Sequence, residues 1–143
     1  MQVALKEARN AFQLDEVPVG CVIIKNNEII ARSHNMMKRT HNQINHAEMI
    51  AIAEACNFLN SGYLTNCDMY VTLEPCNMCA AAISFARIRR LYCGALDEKG
   101  GGIYHNTKLY YGKKGLHHIP EHYCQFFELH SIEILRKFFQ QKR

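Results

Sequence analysis

The stretch "CDMYVTLEPCNMCAAAISFARIRRLYCGA", residues 67–95, decides the fold of this chain. It opens with a β-branched and aromatic run, 67–73, and closes with a second one, 89–95, and each predicts a strand. Between them Pro75 suits the first turn of a helix, where its missing N–H costs least, and the alanine-rich residues 76–88 continue that helix. Strand, helix and strand in this order predict a right-handed crossover between parallel strands, with the helix packed on the sheet.

Upstream, the sequence adds a helix and a hairpin. Residues 1–12, "MQVALKEARNAF", repeat apolar side chains at the spacing of one helical face. Residues 17–35 are rich in β-branched side chains and are split by Asn26 and Asn27, a favoured turn pair. We therefore expect a first helix followed by two antiparallel strands, which makes the sheet mixed.

Two further segments have a helical pattern and one has none. Residues 46–59 place apolar side chains on one side of a helix, and residues 125–143 predict an amphipathic C-terminal helix. Residues 98–115 are rich in glycine and tyrosine and predict no regular element.

Length and composition indicate one ordinary globular domain, residues 1–143. A chain of 143 residues can bury a stable core without the support of disulfides or metal ions. Its composition, 48% hydrophobic and 21% charged residues, is typical of globular proteins. Its apolar runs are too short to cross a bilayer, and its first ten residues lack the apolar core of a signal peptide. We expect a soluble, cytoplasmic protein with no membrane partner.

The seven cysteines are an odd number in a chain without an export signal. A disulfide framework is therefore not expected, and reduced thiols are free to bind metal.

The net charge of +4 is compatible with a polyanionic partner, although many proteins with this charge bind none. The basic side chains fall in three groups: Arg87, Arg89 and Arg90; Lys113 and Lys114; and Arg136, Lys137, Lys142 and Arg143.

Three side chains suit a catalytic zinc site. His46, Cys76 and Cys79 offer one imidazole and two thiolates, and a catalytic zinc keeps three protein ligands so that its fourth position can hold water. Two cysteines three positions apart at the start of a helix can reach one ion, and the helix dipole there favours thiolate. The crossover could bring the start of the helix 46–59, and with it His46, next to the two cysteines.

Glu48 suits proton transfer better than metal ligation. It lies two residues after His46, so on a helix it points away from that side chain but can meet water at the metal. Zinc lowers the pKa of bound water to about 7, and a nearby carboxylate can carry its proton to a leaving group. This combination is typical of hydrolytic removal of an amine.

Other sites remain open on these residues alone. Cys76 and Cys79 could be a thioredoxin-like redox pair. A closed structural zinc site would take a fourth ligand, for which the sequence offers Cys67, Cys93 or His41.

H-x-E followed by P-C-x-x-C is the signature of zinc-dependent deaminases. Further segments, "EVPVGCVI" (16–23), "HAEM" (46–49), "YVTLEPCNMC" (70–79) and "RIRRLYCGALDEKGG" (87–101), resemble the bacterial tRNA-specific adenosine deaminases of the cytidine and deoxycytidylate deaminase superfamily. The resemblance spans nearly the whole chain, although residues 102–118 depart from the family's pattern.

The resemblance implies a three-layer α/β/α sandwich of the cytidine-deaminase type with a mixed sheet of about five strands. It also implies a homodimer with one Zn²⁺ per subunit, held by His46, Cys76 and Cys79, with Glu48 as the proton shuttle. The implied reaction converts adenosine to inosine at the wobble position, 34, of a tRNA anticodon, that of tRNA-Arg(ACG). The main alternative is a deaminase of a free nucleobase or nucleoside, of the guanine or cytosine type, and a non-catalytic zinc-stabilised RNA-binding module is a third possibility.

The resemblance also implies residues that contact the target base. Asn35 matches an asparagine that hydrogen-bonds the base, and Val19 and Leu73 match apolar positions of the pocket. On the residues alone, Asn35 could equally be a turn residue after a strand, and the other two could be plain core.

A tRNA anticodon stem-loop needs contacts outside the pocket, because the target base must be splayed out of its stack. By resemblance, Asp97 and Lys99 lie on a segment that faces RNA, and Phe138 and Phe139 belong to an aromatic and basic tail. Phenylalanines on an amphipathic terminal helix serve as core anchors about as often.

Overall fold

The structure, a computed structural model, describes residues 1–105, 108–112, 116 and 118–143. The basic residues Lys113 and Lys114 lie outside the described residues. The helices and strands, in chain order, are α1 (Gln2–Gln13), β1 (Gly20–Lys25), β2 (Glu28–His34), α2 (Ala47–Leu59), β3 (Cys67–Leu73), α3 (Asn77–Phe85), β4 (Arg90–Ala95), α4 (Lys108–Tyr111), β5 (Glu121–Tyr123) and α5 (Glu128–Gln140).

The strands form one mixed sheet in the order β2-β1-β3-β4-β5. β1 pairs antiparallel with both β2 and β3, whereas β3, β4 and β5 are parallel to one another. The predicted parallel crossover from β3 through α3 to β4 is confirmed, and so is the mixed sheet of five strands.

Helices cover both faces of the sheet. α1 and α5 pack on one face and contact each other, and α2 and α3 pack together on the other. The main core lies between the sheet and α2 with α3, and includes Ile23, Met69, Val71, Ile83 and Leu91. The three-layer α/β/α sandwich is confirmed.

The hairpin between β1 and β2 has the predicted turn. Asn26 and Asn27 have φ angles of 50° and 64°, in the left-handed region that a tight two-residue hairpin turn requires. Asparagine tolerates this region better than most residues, which explains why the pair could be recognised in the sequence.

Two elements escaped prediction, and two helices, α3 and α5, are shorter than predicted. β5 has three residues and α4 has four, which is too short for a periodic pattern to show. α3 ends at Phe85, not at residue 88, because Arg87 adopts φ 57° and turns the chain toward β4.

One cysteine pair departs from the expectation of reduced thiols. Cys93 on β4 pairs as a disulfide with Cys124, and their Cα atoms lie 4.3 Å apart. The residues are 31 positions apart in the chain, so only the folded sheet brings them together. Cys21, Cys56, Cys67, Cys76 and Cys79 are free.

Within the described ranges, the helices are all too short or too polar to cross a membrane.

The close approach of α1 to β1 depends on Gly20. A Cβ atom there would overlap the backbone of α1 at Ala4 and Ala8. We expect Gly20→Ala to lower the free energy of unfolding by about 1–3 kcal/mol, because the helix must move away from the sheet.

Urea denaturation would measure this effect, with Gly62→Ala as the matched control. A Cβ atom at Gly62 meets nothing within 4 Å, so that variant should keep its stability or gain up to about 1 kcal/mol. Equal stabilities of the two variants would contradict the close contact at Gly20.

Candidate active site

The starts of two helices bring one imidazole and two thiols together. The Nδ1 atom of His46 lies 3.7 Å from the Sγ atom of Cys76 and 3.5 Å from that of Cys79. Zn–N and Zn–S bonds of about 2.0 and 2.3 Å at tetrahedral angles separate nitrogen from sulfur by about 3.5 Å. The three side chains therefore match the ligand spacing and the ligand types of a zinc ion.

Local structure favours the thiolate form of Cys76. His46 and Cys76 are the N-cap residues of α2 and α3, so the positive ends of both helix dipoles point at the cluster. Hydrogen bonds from Cys79 and His46 lower the pKa of Cys76 to about 4 against the opposing effect of burial. A charged thiolate at neutral pH is the form that binds metal.

The cluster offers three candidate ligands among the described residues, and the candidates for a fourth lie elsewhere. His46, Cys76 and Cys79 have ligand atoms within 4.8 Å of one another, and no other His, Cys, Asp or Glu of the described part completes that group. Of the suggested fourth ligands, Cys93 is bonded to Cys124. The described residues thus favour an open site over a closed structural one.

A small cavity opens beside the cluster. Its volume is about 140 Å³, below the roughly 300–1,000 Å³ of pockets for drug-sized ligands, so it suits one ring system better than a whole nucleotide. The side chains that line it are Val17, Val19, Asn35, Met37, His46, Glu48, Leu73, Glu74, Cys76 and Asp97.

Glu48 contributes a buried carboxyl group to this cavity. It lies in the first turn of α2, two residues from His46, and is 3% exposed. Burial raises the pKa of Glu48 to about 7, against the opposing effects of a backbone hydrogen bond and of His46. A carboxyl group with this pKa can both accept and donate a proton near neutral pH.

Asn35 connects the cavity to the start of α2. Its side-chain Oδ1 accepts the backbone N–H of Ala47 at 2.9 Å, and the residue is buried. With Oδ1 engaged, the Nδ2 group is the part of Asn35 that can donate to a ligand in the cavity.

Residues 1–95 match the cytidine and deoxycytidylate deaminase zinc-binding region. A tRNA-specific adenosine deaminase of Agrobacterium fabrum is 48% identical over 143 residues, which cover all of this chain and 93% of that protein. The chain belongs to the tRNA-specific adenosine deaminase family. A relative of that name from Aquifex aeolicus is 41% identical over all of this chain and 93% of its own length.

Solved structures agree with the assignment to the tRNA-specific adenosine deaminase family. One, from a study of A-to-I editing by tRNA:A34 deaminases at the wobble position of transfer RNA, superposes with a TM-score of 0.90 at 47% identity, covering 94% of this chain and 97% of its own. A guanine deaminase of Bacillus subtilis is more distant, with a TM-score of 0.64 and 33% identity over 66% of this chain and 61% of its own.

The residues carried over from the tRNA-specific adenosine deaminases fall in different places. Val19, Asn35, Leu73 and Asp97 all line the cavity with Glu48. Lys99 is exposed and follows Asp97 by two residues, with its backbone N–H donated to the Asp97 side chain.

The two phenylalanines of the tail have different surroundings. Phe138 is 4% exposed and packs edge-to-face on Phe12 of α1, with ring centroids 5.8 Å apart. It is therefore a core anchor that joins α5 to α1 and is not available to stack on a base. Phe139 is 50% exposed, so its predicted contact with RNA stays a prediction.

Sequence reasoning missed Val17, Met37 and Glu74, which also line the cavity. Glu74 had a usable signal, since it directly precedes the Pro-Cys pair of the family's motif. Burial alone would raise its pKa, but hydrogen bonds from the backbone N–H groups of Tyr104 and Asp97 lower the pKa of Glu74 below its usual value. Its carboxyl group is therefore charged at neutral pH, although its side chain is fully buried.

Proposed function

We propose that residues 1–143 form a single zinc-dependent deaminase domain that converts adenosine 34, at the wobble position of a tRNA anticodon, to inosine. The observation that carries this proposal is that Glu48, His46 and Cys76 all line the same small cavity. Family membership supports tRNA as the substrate, since relatives that match this whole chain are named tRNA-specific adenosine deaminases. The ACG anticodon of tRNA-Arg is the proposed target.

One Zn²⁺ per subunit would be held by His46, Cys76 and Cys79. The donor set of one nitrogen and two sulfurs, at the spacing described above, supports zinc over a hard cation such as Mg²⁺. When bound, zinc acidifies water and so supplies a nucleophile at neutral pH.

Glu48 would move the protons of the reaction. Its carboxylate would accept one proton of the attacking water as the water oxygen bonds to C6, and would deliver that proton to purine N1. It would then carry the remaining proton from this oxygen to the amine, so that the C6–N bond breaks and ammonia leaves. Burial of Glu48 in the cavity keeps bulk water from competing for these protons.

The walls of the cavity would orient the base. Val19 and Leu73 offer apolar contacts to its ring, and the Nδ2 group of Asn35 would donate a hydrogen bond to a ring nitrogen. Asp97, which lines the cavity, and Lys99 and Phe139 outside it are the residues proposed to contact the flanking nucleotides.

Variants of Asn35 separate recognition of the base from support of the helix. Asn35→Asp keeps an oxygen for the N–H of Ala47 but lacks the Nδ2 donor. We expect it to lower kcat/KM for an anticodon hairpin about ten- to a hundredfold, the cost of about 1–3 kcal/mol for one unsatisfied buried hydrogen bond. Initial rates at several hairpin concentrations measure kcat/KM. Full activity of Asn35→Asp would show that the Nδ2 group does not bind the base and that Asn35 is only a turn residue.

A homodimer is proposed from the surface of α2 and α3. Both helices carry apolar residues on the side away from the sheet, and Phe58 and Phe85 at their C-terminal turns are 68% and 71% exposed. Because large apolar side chains exposed on a protein surface mark interaction sites when they form a patch, a second copy of the chain is the proposed cover of Phe58 and Phe85. The cytoplasm, where tRNA is modified, is the proposed location.

Inosine formation on an ACG anticodon hairpin tests the proposed function. The same protein would be given free adenosine, guanine and cytidine, with inosine and ammonia measured in each case. Inosine at the wobble position alone is the expected result. Ammonia from guanine or cytidine, with an unmodified hairpin, would favour a free nucleobase or nucleoside deaminase and overturn tRNA as the substrate.

A further inference from the structure

The buried carboxylate of Glu74 joins the two ends of the loop of residues 97–105 by hydrogen bonds. The Oε2 atom of Glu74 accepts the backbone N–H of Asp97 at 3.0 Å. Its Oε1 atom accepts the N–H groups of Ile103 and Tyr104 at 3.1 and 2.7 Å. The two ends of the loop, six residues apart in the chain, therefore meet on a single side chain.

The side chain of His105 adds a further contact to the same carboxylate. Its Nδ1 atom lies 3.0 Å from the Oε2 atom of Glu74. Because the Glu74 side chain is fully buried, these partners replace the water that a carboxylate would otherwise need. Removing the acceptor would leave several backbone N–H groups without a partner at once.

Glycines allow the loop to approach this closely. A Cβ atom at Gly101 would overlap the carboxyl group of Glu74, and Gly101 forms an antiparallel bridge with Cys76. The next residue, Gly102, donates its N–H to the backbone oxygen of Pro75 at 2.7 Å. The loop is thus held directly against the turn that carries the first cysteine of the cluster.

The held loop presents Asp97 to the cavity. The Oδ1 atom of Asp97 accepts the N–H groups of Lys99 and Gly100, both at 3.1 Å, which shapes a tight turn at the start of the loop. Asp97 also lines the cavity beside Glu48. The position of the carboxylate of Glu74 therefore determines where Asp97 and Lys99 stand relative to the cavity.

We propose that Glu74 is a positioning residue that holds the 97–105 loop at the mouth of the cavity and thereby sets the affinity for the nucleotides that flank the target base. The inference rests on the proposed function for the identity of the substrate. It does not make Glu74 a catalytic residue, because both of its oxygens are engaged by N–H groups of the loop.

Glu74→Gln tests the inference from the carboxylate side. An amide keeps one acceptor oxygen but presents a donor where the second oxygen was, so one end of the loop loses its partner. We expect KM for the ACG hairpin to rise about tenfold with kcat within about twofold, since the flanking contacts and not the proton transfers are lost. Hydrogen–deuterium exchange of residues 97–105 should speed up by at least about tenfold, while zinc content stays unchanged.

Gly101→Ala tests the inference from the loop side and leaves the carboxylate of Glu74 in place. The added methyl group pushes the loop off Glu74, so the same rise in KM and the same faster exchange are expected. Gly62→Ala, at a glycine with open space around it, is the control and should match the unaltered protein. If Glu74→Gln does not fold, the KM and the hydrogen–deuterium exchange of Gly101→Ala test the inference on their own.

Two results would overturn the inference. One is unchanged exchange of residues 97–105 in the folded variants. The other is faster exchange with an unaltered KM on a hairpin that the unaltered protein deaminates. A protein that makes no inosine on the hairpin would overturn the proposed function instead, while the exchange measurement would still decide whether Glu74 holds the loop.

Discussion

Glu48→Gln is expected to abolish inosine formation on the ACG hairpin, with a loss of at least about a hundredfold in kcat. General acid–base groups contribute about 10²–10⁴-fold, and a carboxamide cannot accept and release the proton that the reaction moves. Glutamine has nearly the shape of glutamate, so the cavity beside His46 and Cys76 should keep its form. Single-turnover rates with excess protein measure the chemical step separately from binding.

Stability and zinc content distinguish a lost proton carrier from a damaged site. Because Glu48 is buried and its pKa is raised by that burial, a neutral amide should not lower the melting temperature. Glu28→Gln, a change of the same kind at an exposed position at the start of β2, away from the cavity and from the proposed dimer surface, is the matched control and should keep full activity. An active Glu48→Gln variant with intact zinc would remove Glu48 from the mechanism and favour a structural role.

Cys76→Ser is expected to remove both the metal and the activity. Cys76 is one of the three proposed ligands at the starts of α2 and α3, and a serine hydroxyl is a poor substitute for a thiolate. We expect substoichiometric zinc by elemental analysis, no detectable inosine, and a lower melting temperature, because an ion that binds only the folded state stabilises it.

Cys56→Ser is the matched control for the loss of a thiol. Cys56 is a free, partly buried cysteine on α2 outside the cluster, so its replacement should leave zinc content and activity unchanged. A purified protein without zinc, in which Cys76 and Cys79 form a reversible disulfide, would instead support the redox pair that the sequence left open. Zinc retained at full stoichiometry in Cys76→Ser would show that the ligand set is wrong.

The chemistry of the site could be predicted because it is encoded in short segments. His46 and Glu48 lie within one helical turn, as do Cys76 and Cys79, and each pair stands at a helix start that Pro75 or the apolar pattern indicates. Such features depend on residues a few positions apart, where propensity and spacing act.

Contacts between distant segments could not be predicted in the same way. Phe138 satisfies the pattern of an RNA-facing tail and that of a core anchor equally, and only its packing on Phe12 decided between them. Glu74 lies about 30 residues from Tyr104 and His105, and no periodicity connects them. The pairing of Cys93 with Cys124 likewise depends on the position of β5, a strand too short to recognise.

The sequence by itself determined the candidate ligands, the candidate proton carrier, the parallel crossover and the order of the main elements. Each of these follows from side-chain chemistry and from periods of two or 3.6 residues along the chain. Only the tertiary structure decided which loop supplies Asp97 to the wall of the cavity and which aromatic residues stay exposed. Those outcomes depend on the packing of α5 against α1 and on the hydrogen bonds that a buried carboxylate must find, and both join residues far apart in the sequence.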